Sequence, residues 1–193
     1  LLLLVSNPVD VLTWHAWKRT GWERHRVFGM AGVLDASRMA CFIAEETGLS
    51  IKDIHAMVIG GHGDYMVPLT RFCTVNGVPA GTFLDEESIA RINKRTRHAG
   101  AEVLALRQLS SAYNAPAAAI ATMVDAISHN RRRVLPCVCN LDGEYGQNDI
   151  TAGVPAIIGQ NGIEKIVELP LDDAEQAGFQ ASIDSICADL KNL

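Results

Sequence analysis

The sequence predicts an α/β protein: the end of a doubly wound parallel sheet, followed by an α+β domain in which helices mix with an antiparallel meander. Three observations carry that prediction. The chain opens on Leu1-Leu2-Leu3-Leu4-Val5, an apolar run without alternation, as a parallel strand buried on both faces reads. Two long helical patterns fill its centre. Three strand-like runs follow, separated by Asp142-Gly143 and Asn161-Gly162, dipeptides that favour hairpin turns.

The opening strand spans residues 1 to about 6 and stops at Ser6-Asn7-Pro8-Val9-Asp10. A helix carrying Val11, Leu12, Trp14, His15 and Trp17 continues to Gly21, and residues 27–30 form a short apolar strand before an Ala31-Gly32 turn. Asp35 or Ser37 caps a helix over 38–47, which Gly48 stops. Residues 54–59 read as a strand feeding Gly60-Gly61-His62-Gly63-Asp64, and 67–75 as a second strand ended by the hairpin signal Asn76-Gly77. From Asp85 to about residue 109, Ile89, Ile92, Ala99, Val103 and Leu106 recur at helical spacing, giving one amphipathic helix. Another runs from about Pro116, placed at the first helical position, to Asn130. Strands are expected over 134–141, 149–158 and 163–169, and a terminal helix from Leu171 carries Phe179, Ile183, Ile186 and Leu190 on one stripe. Trp14, Trp17 and Trp22 read as anchors in the core or at a subunit interface.

Composition excludes several classes. With 193 residues, 48% hydrophobic and 20% charged, the chain can bury a substantial core. A net charge of −5 gives no reason to expect nucleic acid or an anionic membrane as partner, and Arg131-Arg132-Arg133 reads as a solvated helix end. The five cysteines include no Cys-x-x-Cys pair; Cys137 and Cys139 alternate onto one strand face as small buried hydrophobes. That usage suits a reducing compartment, so a cytoplasmic protein is expected. No His or Cys cluster has metal-ligand spacing, and no metal site is expected. The run Leu1 to Val5 lacks the basic flank and the length of a signal peptide. Starting mid-fold without methionine, the chain reads as a fragment.

Three segments place chemically specific side chains at strand ends or helix starts, where open α/β sheets put their ligand crevice. Asn7 follows an apolar strand; its amide could donate to and accept from a ligand, or it is simply a turn residue before proline. Asp35 and Arg38 share a helix face. Either they form a surface ion pair, or Arg38 grips a carboxylate through its two-pronged donor while Asp35 accepts from a histidine. His62 is bracketed by glycines immediately after a strand, which lets the backbone turn tightly and a ligand approach closely. Asp64, two residues on, reads as a turn residue. A base, an orienting carboxylate, a carboxylate clamp and a neutral polar anchor are what removal of hydride from a 2-hydroxy acid requires, because the hydroxyl must lose its proton to a base of near-neutral pKa while the carboxylate is held.

Taken together, Val5-Ser6-Asn7-Pro8-Val9-Asp10, Ala31-Gly32-Val33-Leu34-Asp35 with Arg38, Gly60-Gly61-His62-Gly63-Asp64-Tyr65-Met66-Val67-Pro68, Ser111-Ala112-Tyr113-Asn114-Ala115-Pro116-Ala117 and Asp142-Gly143-Glu144-Tyr145-Gly146 resemble the lactate/malate dehydrogenase superfamily over essentially the whole chain. The LDH-like malate dehydrogenases of bacteria are the nearest resemblance. It implies the end of a Rossmann sheet over 1–30, a remnant of the dinucleotide-binding domain, and a substrate-binding, catalytic C-terminal domain over 31–193. It implies an NAD-dependent oxidoreductase of the tricarboxylic acid cycle, interconverting (S)-malate and oxaloacetate, as a homodimer or homotetramer. His62 would be the acid/base and Asp35 would hold its tautomer; Arg38 would bind the substrate carboxylate. Asn7 would hydrogen-bond the reacting oxygen, Asn114 or Ala115 would lie near the pocket, and Val5, Ser6 and Asn7 would line the nicotinamide end of the cofactor. The sequence holds no Gly-x-Gly-x-x-Gly loop, so poor NAD binding and little turnover are expected of these residues alone. The Gly-Gly before His62 and Met66 after it lean towards malate, with lactate or another 2-hydroxy acid as the second reading and a non-catalytic oligomerisation module as the third.

Overall fold

The computed structural model describes residues 1–108 and 112–191. Strand β1 (Leu2–Leu4) leads into helix α1 (Val9–Thr20), which Gly21 ends with its N–H on the Trp17 carbonyl. Strand β2 (Val27–Gly29) precedes helix α2 (Gly32–Thr47). Short strands follow: β3 (Ile54–His55), β4 (Val58–Ile59), β5 (Val67–Pro68), β6 (Thr74–Val75) and β7 (Val78–Pro79). Helices α3 (Glu86–Arg107) and α4 (Asn114–Ser128) come next, then strands β8 (Arg133–Asp142), β9 (Asn148–Gly159) and β10 (Gly162–Ile166), and helix α5 (Asp173–Leu190).

The architecture is α/β. One five-stranded sheet has the order β1-β2-β8-β9-β10. Its first pair is parallel; the others are antiparallel, joined through Gly29 opposite Val138. The parallel end and the meander, legible separately, are therefore one sheet. Its main core lies where Phe28, Leu69, Met123, Leu141, Ile158 and Phe179 are fully buried. A second cluster gathers Met39 and Ile43 of α2, Val58, Cys73 and Ile92. Cys137 and Cys139 are buried on the same face of β8, their sulfurs 3.6 Å apart.

Several elements depart from the sequence reading, each for a local reason. Helix α2 begins at Gly32, so neither Asp35 nor Ser37 is its cap. The Leu34 and Asp35 N–H groups bond to the Ala31 carbonyl, and Ser37 Oγ donates to Val33 O at 2.7 Å. Asp35 is thus free to point away from its own backbone. The strand expected over 54–59 is split between two sheets, β3 pairing with β6 and β4 with β5. That expected over 67–75 is interrupted at Pro68, which has no N–H to donate, and by a single turn at Thr70–Phe72. Pro116 occupies the third position of α4 rather than the first, still within the turn where a missing N–H costs nothing.

Asp142-Gly143 opens a longer connection than a tight hairpin. Tyr145 turns inward there, its ring centroid 5.1 Å from that of Phe179, while its hydroxyl donates to Val167 O. Strand β10 ends at Ile166, short of 169. On α3, Ile92 and Ala99 are buried but Leu106 is 78% exposed, so the apolar stripe is covered only over its first half. Arg91 and Arg95, which pair with Glu46 and Glu45 of α2, mark that covered half. The expected end near Leu109 lies outside the described residues. None of the three tryptophans is buried within this chain; Trp14 donates to Asp149 O at 2.9 Å and Lys18 sits over the Trp17 ring. No helix among the described residues is long and apolar enough to cross a membrane.

Candidate active site

The loop Gly60 to Asp64 leaves β4 and is held from behind at three consecutive N–H groups. Gly60 exchanges main-chain hydrogen bonds with Gly153 of β9, at 2.8 and 3.0 Å. Gly61 N–H donates to Ser182 Oγ of α5 at 2.6 Å, and His62 N–H to Asp10 Oδ2 of α1 at 2.8 Å. A Cβ on Gly60 would stand 2.8 Å from Ser182 Oγ, at a φ of +85° that side chains avoid. A Cβ on Gly153 would stand 2.5 Å from the Gly60 carbonyl oxygen. The first two glycines of the motif thus serve packing against β9 and α5. On the other side of His62 the space around Gly63 is open.

His62 Nδ1 lies 2.7 Å from Asp35 Oδ2, and Asp35 is 2% exposed. A carboxylate at that distance assigns the neutral ring's proton to Nδ1 and leaves Nε2 as the proton acceptor. Burial pushes the imidazole down, but the hydrogen bond and charge of Asp35, with the charge of Asp10 added, outweigh it, so its pKa is raised above the ordinary 6.5. Asp35 Oδ1 lies 3.3 Å from Arg38 Nη1. The carboxylate is therefore shared between ring and guanidinium, one oxygen to each, rather than divided cleanly between two tasks.

Val5, Asn7, Arg38 and His62 converge on a cleft of about 210 Å³, with Met30 and Leu34 as its apolar wall. Gly100 of α3 and Ala112 and Pro116 at the start of α4 close its other side. Ser6 and Asn114 are exposed and do not line it; the α4 end is represented by Ala112 and Pro116 instead. Ser111 lies outside the described residues. Asp64 is exposed and sits 3.6 Å from His98, away from the His62 ring contacts. A hollow of about 430 Å³ between Arg24, Asn140 and Lys165 is larger, yet holds none of these groups. Convergent polar side chains locate a site better than volume does. No group of three or more His, Cys, Asp or Glu residues among the described residues could hold a metal ion.

Sequence reasoning missed Asp10. It is 6% exposed and takes the His62 N–H, and its carboxyl is pushed up to about 6, chiefly by burial. Its only local signal was a carboxylate in the first turn of a helix between Val9 and Val11, where an acid ordinarily just suits the helix dipole.

A base oriented by a buried carboxylate, a guanidinium at its side and an amide across a small cleft can remove a proton from a hydroxyl while holding a neighbouring carboxylate. Residues 32–193 match the family model of the lactate/malate dehydrogenase alpha/beta C-terminal domain. The chain is 63% identical over 193 residues to a malate dehydrogenase of Thioalkalivibrio sulfidiphilus, covering all of this chain and 63% of that protein. It superposes on the malate dehydrogenase structure of Salinibacter ruber with a TM-score of 0.95 at 43% identity, over 98% of this chain and 62% of that one. A lactate dehydrogenase structure of Cryptosporidium parvum, complexed with lactic acid and nicotinamide adenine dinucleotide, gives a TM-score of 0.95 at 41% identity, over 98% of this chain and 61% of that one. The chain thus spans less than two thirds of the length of each of these relatives.

Proposed function

The chain belongs to the lactate/malate dehydrogenase family, and from that premise we propose that its protein is an NAD-dependent malate dehydrogenase. Residues 31–193 would form its substrate-binding and catalytic domain and residues 1–30 the end of its dinucleotide-binding domain. The observation that carries the reading is the convergence of His62, backed by Asp35 at 2.7 Å, with Arg38 and Asn7 on one small cleft.

In malate oxidation, His62 Nε2 takes the hydroxyl proton, and the cation so formed is stabilised by Asp35 through the Nδ1–H bond. Arg38, already fixed by Asp35, turns its remaining donors to the substrate's carboxylate in a two-pronged contact. Asn7 hydrogen-bonds the reacting oxygen. The buried walls of Met30 and Leu34 keep water from that oxygen. Reduction of oxaloacetate runs the same proton the other way.

The residues present suit one end of the cofactor. Val5 and Asn7 share the cleft with His62, and Ser6 lies between them, so the strand end would hold the nicotinamide ring. The cleft's 210 Å³ is below the ~300–1,000 Å³ of sites for drug-sized ligands, enough for a small acid or one ring and not for a dinucleotide. A nicotinamide cofactor bound there would supply the hydride acceptor for the carbinol carbon. Exposed Leu104, Leu106, Tyr113 and Val124 support a homodimer or homotetramer, and a cytoplasmic location fits the free cysteines.

Lactate is the second reading, since a lactate dehydrogenase superposes as well as a malate dehydrogenase does. Steady-state reduction of oxaloacetate and of pyruvate by NADH, on protein expressed from the complete reading frame, decides between them. Oxaloacetate is expected to give the higher kcat/KM by about 10²-fold or more. A preference for pyruvate overturns the assignment to malate.

A further inference from the structure

A second carboxylate stands behind His62, outside the proton transfer described above. Asp10 lies in the first turn of α1, three residues after Asn7. Its Oδ2 accepts the His62 N–H at 2.8 Å, and its main-chain oxygen accepts from Thr151 Oγ1 of β9 at 2.7 Å. Its Oδ1 is buried with no hydrogen-bond partner among the described residues. One residue thus joins the helix that follows Asn7, the middle strand of the meander and the main chain of the histidine.

The unpartnered oxygen is informative. Burying a carboxylate with one oxygen unsatisfied is costly, and an acceptor for a single N–H could be supplied more cheaply by a neutral amide or hydroxyl. Charge is what distinguishes Asp10 from those alternatives. The charged groups that act on it are His62 and Asp35, and Asp64 and Tyr65 in the loop and Asp189 beside Ser182 and Ser185 of α5 line the same hollow. Of these only the His62 ring can carry a positive charge.

We propose that Asp10 is a positioning residue for the hydride-transfer site: it pins the main chain of His62, places a second negative charge behind the imidazole, and couples the strand end bearing Val5 and Asn7 to the histidine loop. This rests on the reading of His62 as the acid/base. Burial pushes the Asp10 carboxyl up to about 6, opposed by the His62 N–H and ring charge and reinforced by the like charge of Asp35, so the charges of carboxyl and imidazole influence one another.

The test follows the His62 ring and backbone amide by NMR across the neutral range, in protein expressed from its complete reading frame. In the unaltered protein the His62 amide should show a step near pH 6 that reports Asp10. Asp10→Asn retains an acceptor for the N–H and removes the charge. The ring should then titrate at lower pH and the acid-side limb of malate oxidation should move down with it, while KM for oxaloacetate stays within about twofold. Asp10→Ala removes acceptor and charge together, and kcat should fall by about tenfold or more through misplacement of the ring. An Asp10→Asn ring titration identical to that of the unaltered protein, or an amide without the step, overturns the proposal. Should both variants fail to fold, the amide titration of the unaltered protein decides alone. Absence of turnover with both oxaloacetate and pyruvate would sink the functional reading and still leave ring and amide titrations to judge Asp10.

Discussion

His62 has a packed side and an open side, and they are built differently. Behind it, Gly60, Gly61 and His62 each give their N–H to a different element: β9, α5 and α1. Side chains are excluded there by contacts as short as 2.5 Å. In front, the rim is Gly100 of α3 and Ala112 and Pro116 at the start of α4; in the same two segments Leu104, Leu106 and Tyr113 are 53%, 78% and 58% exposed and Arg107 lies 4.2 Å over the Tyr113 ring. An acid/base must be placed to a fraction of an ångström, which only a satisfied, close-packed support achieves. A rim that admits and releases a small acid needs no such support, and segments with few buried contacts open most easily.

Substitutions on the two sides should separate sharply. The largest effect is expected from His62→Asn, which keeps the shape and removes the base: kcat/KM for oxaloacetate should fall by about 10³-fold while the melting temperature holds. If activity survives, His62 is not the acid/base. Gly153→Ala comes next. Its Cβ cannot coexist with the Gly60 carbonyl, so denaturant unfolding should show a loss of roughly 2–3 kcal/mol, with kcat/KM reduced as the loop is displaced. An unchanged unfolding midpoint would show that the glycine bridge does not hold the loop.

The pH profile is a gentler probe of the packed side. The His62 imidazole has a pKa raised above 6.5 in the folded chain. The His62–Asp35 contact therefore contributes its full stability below that unfolded value and loses it as pH rises through the folded one. If His62 is the acid/base as proposed, oxaloacetate reduction by the protein from its complete reading frame should fall only above pH 6.5, and malate oxidation should rise over the same interval. Initial rates in both directions test this, and a reduction limb falling below pH 6.5 contradicts it. The smallest effect belongs to the exposed end of α3. Leu106→Ser should change unfolding free energy by no more than about 0.5 kcal/mol in the isolated chain. A larger loss would mean that this face is covered.

Much of the site was legible because its signals are local. A histidine between glycines after an apolar strand, an Asp and an Arg three apart, and an asparagine at a strand end each stand out by residue type and position. Asp10 was not legible, because a first-turn carboxylate is an ordinary helix feature and its contact reaches across 52 positions. The start of α2 was hidden because Ala31-Gly32 resembles a turn, whereas the Ala31 carbonyl already accepts the helix's first bonds. Asn114 was placed near the pocket by motif position; its neighbours Ala112 and Pro116 line the cleft, and Asn114 itself does not.

By itself the sequence determined the element types, the Asn76-Gly77 turn and the glycine stops, because periodicity and positive φ are written within a few neighbouring residues. It also determined which side chains could do acid/base chemistry. Tertiary structure alone decided that the parallel end and the meander form one sheet, that Asp35, offered by the sequence as partner either to Arg38 or to a histidine, serves both, and that a second carboxylate stands behind the histidine. Those facts depend on which surfaces pack together, and no local pattern encodes a contact whose partners are brought into register only by the folded core.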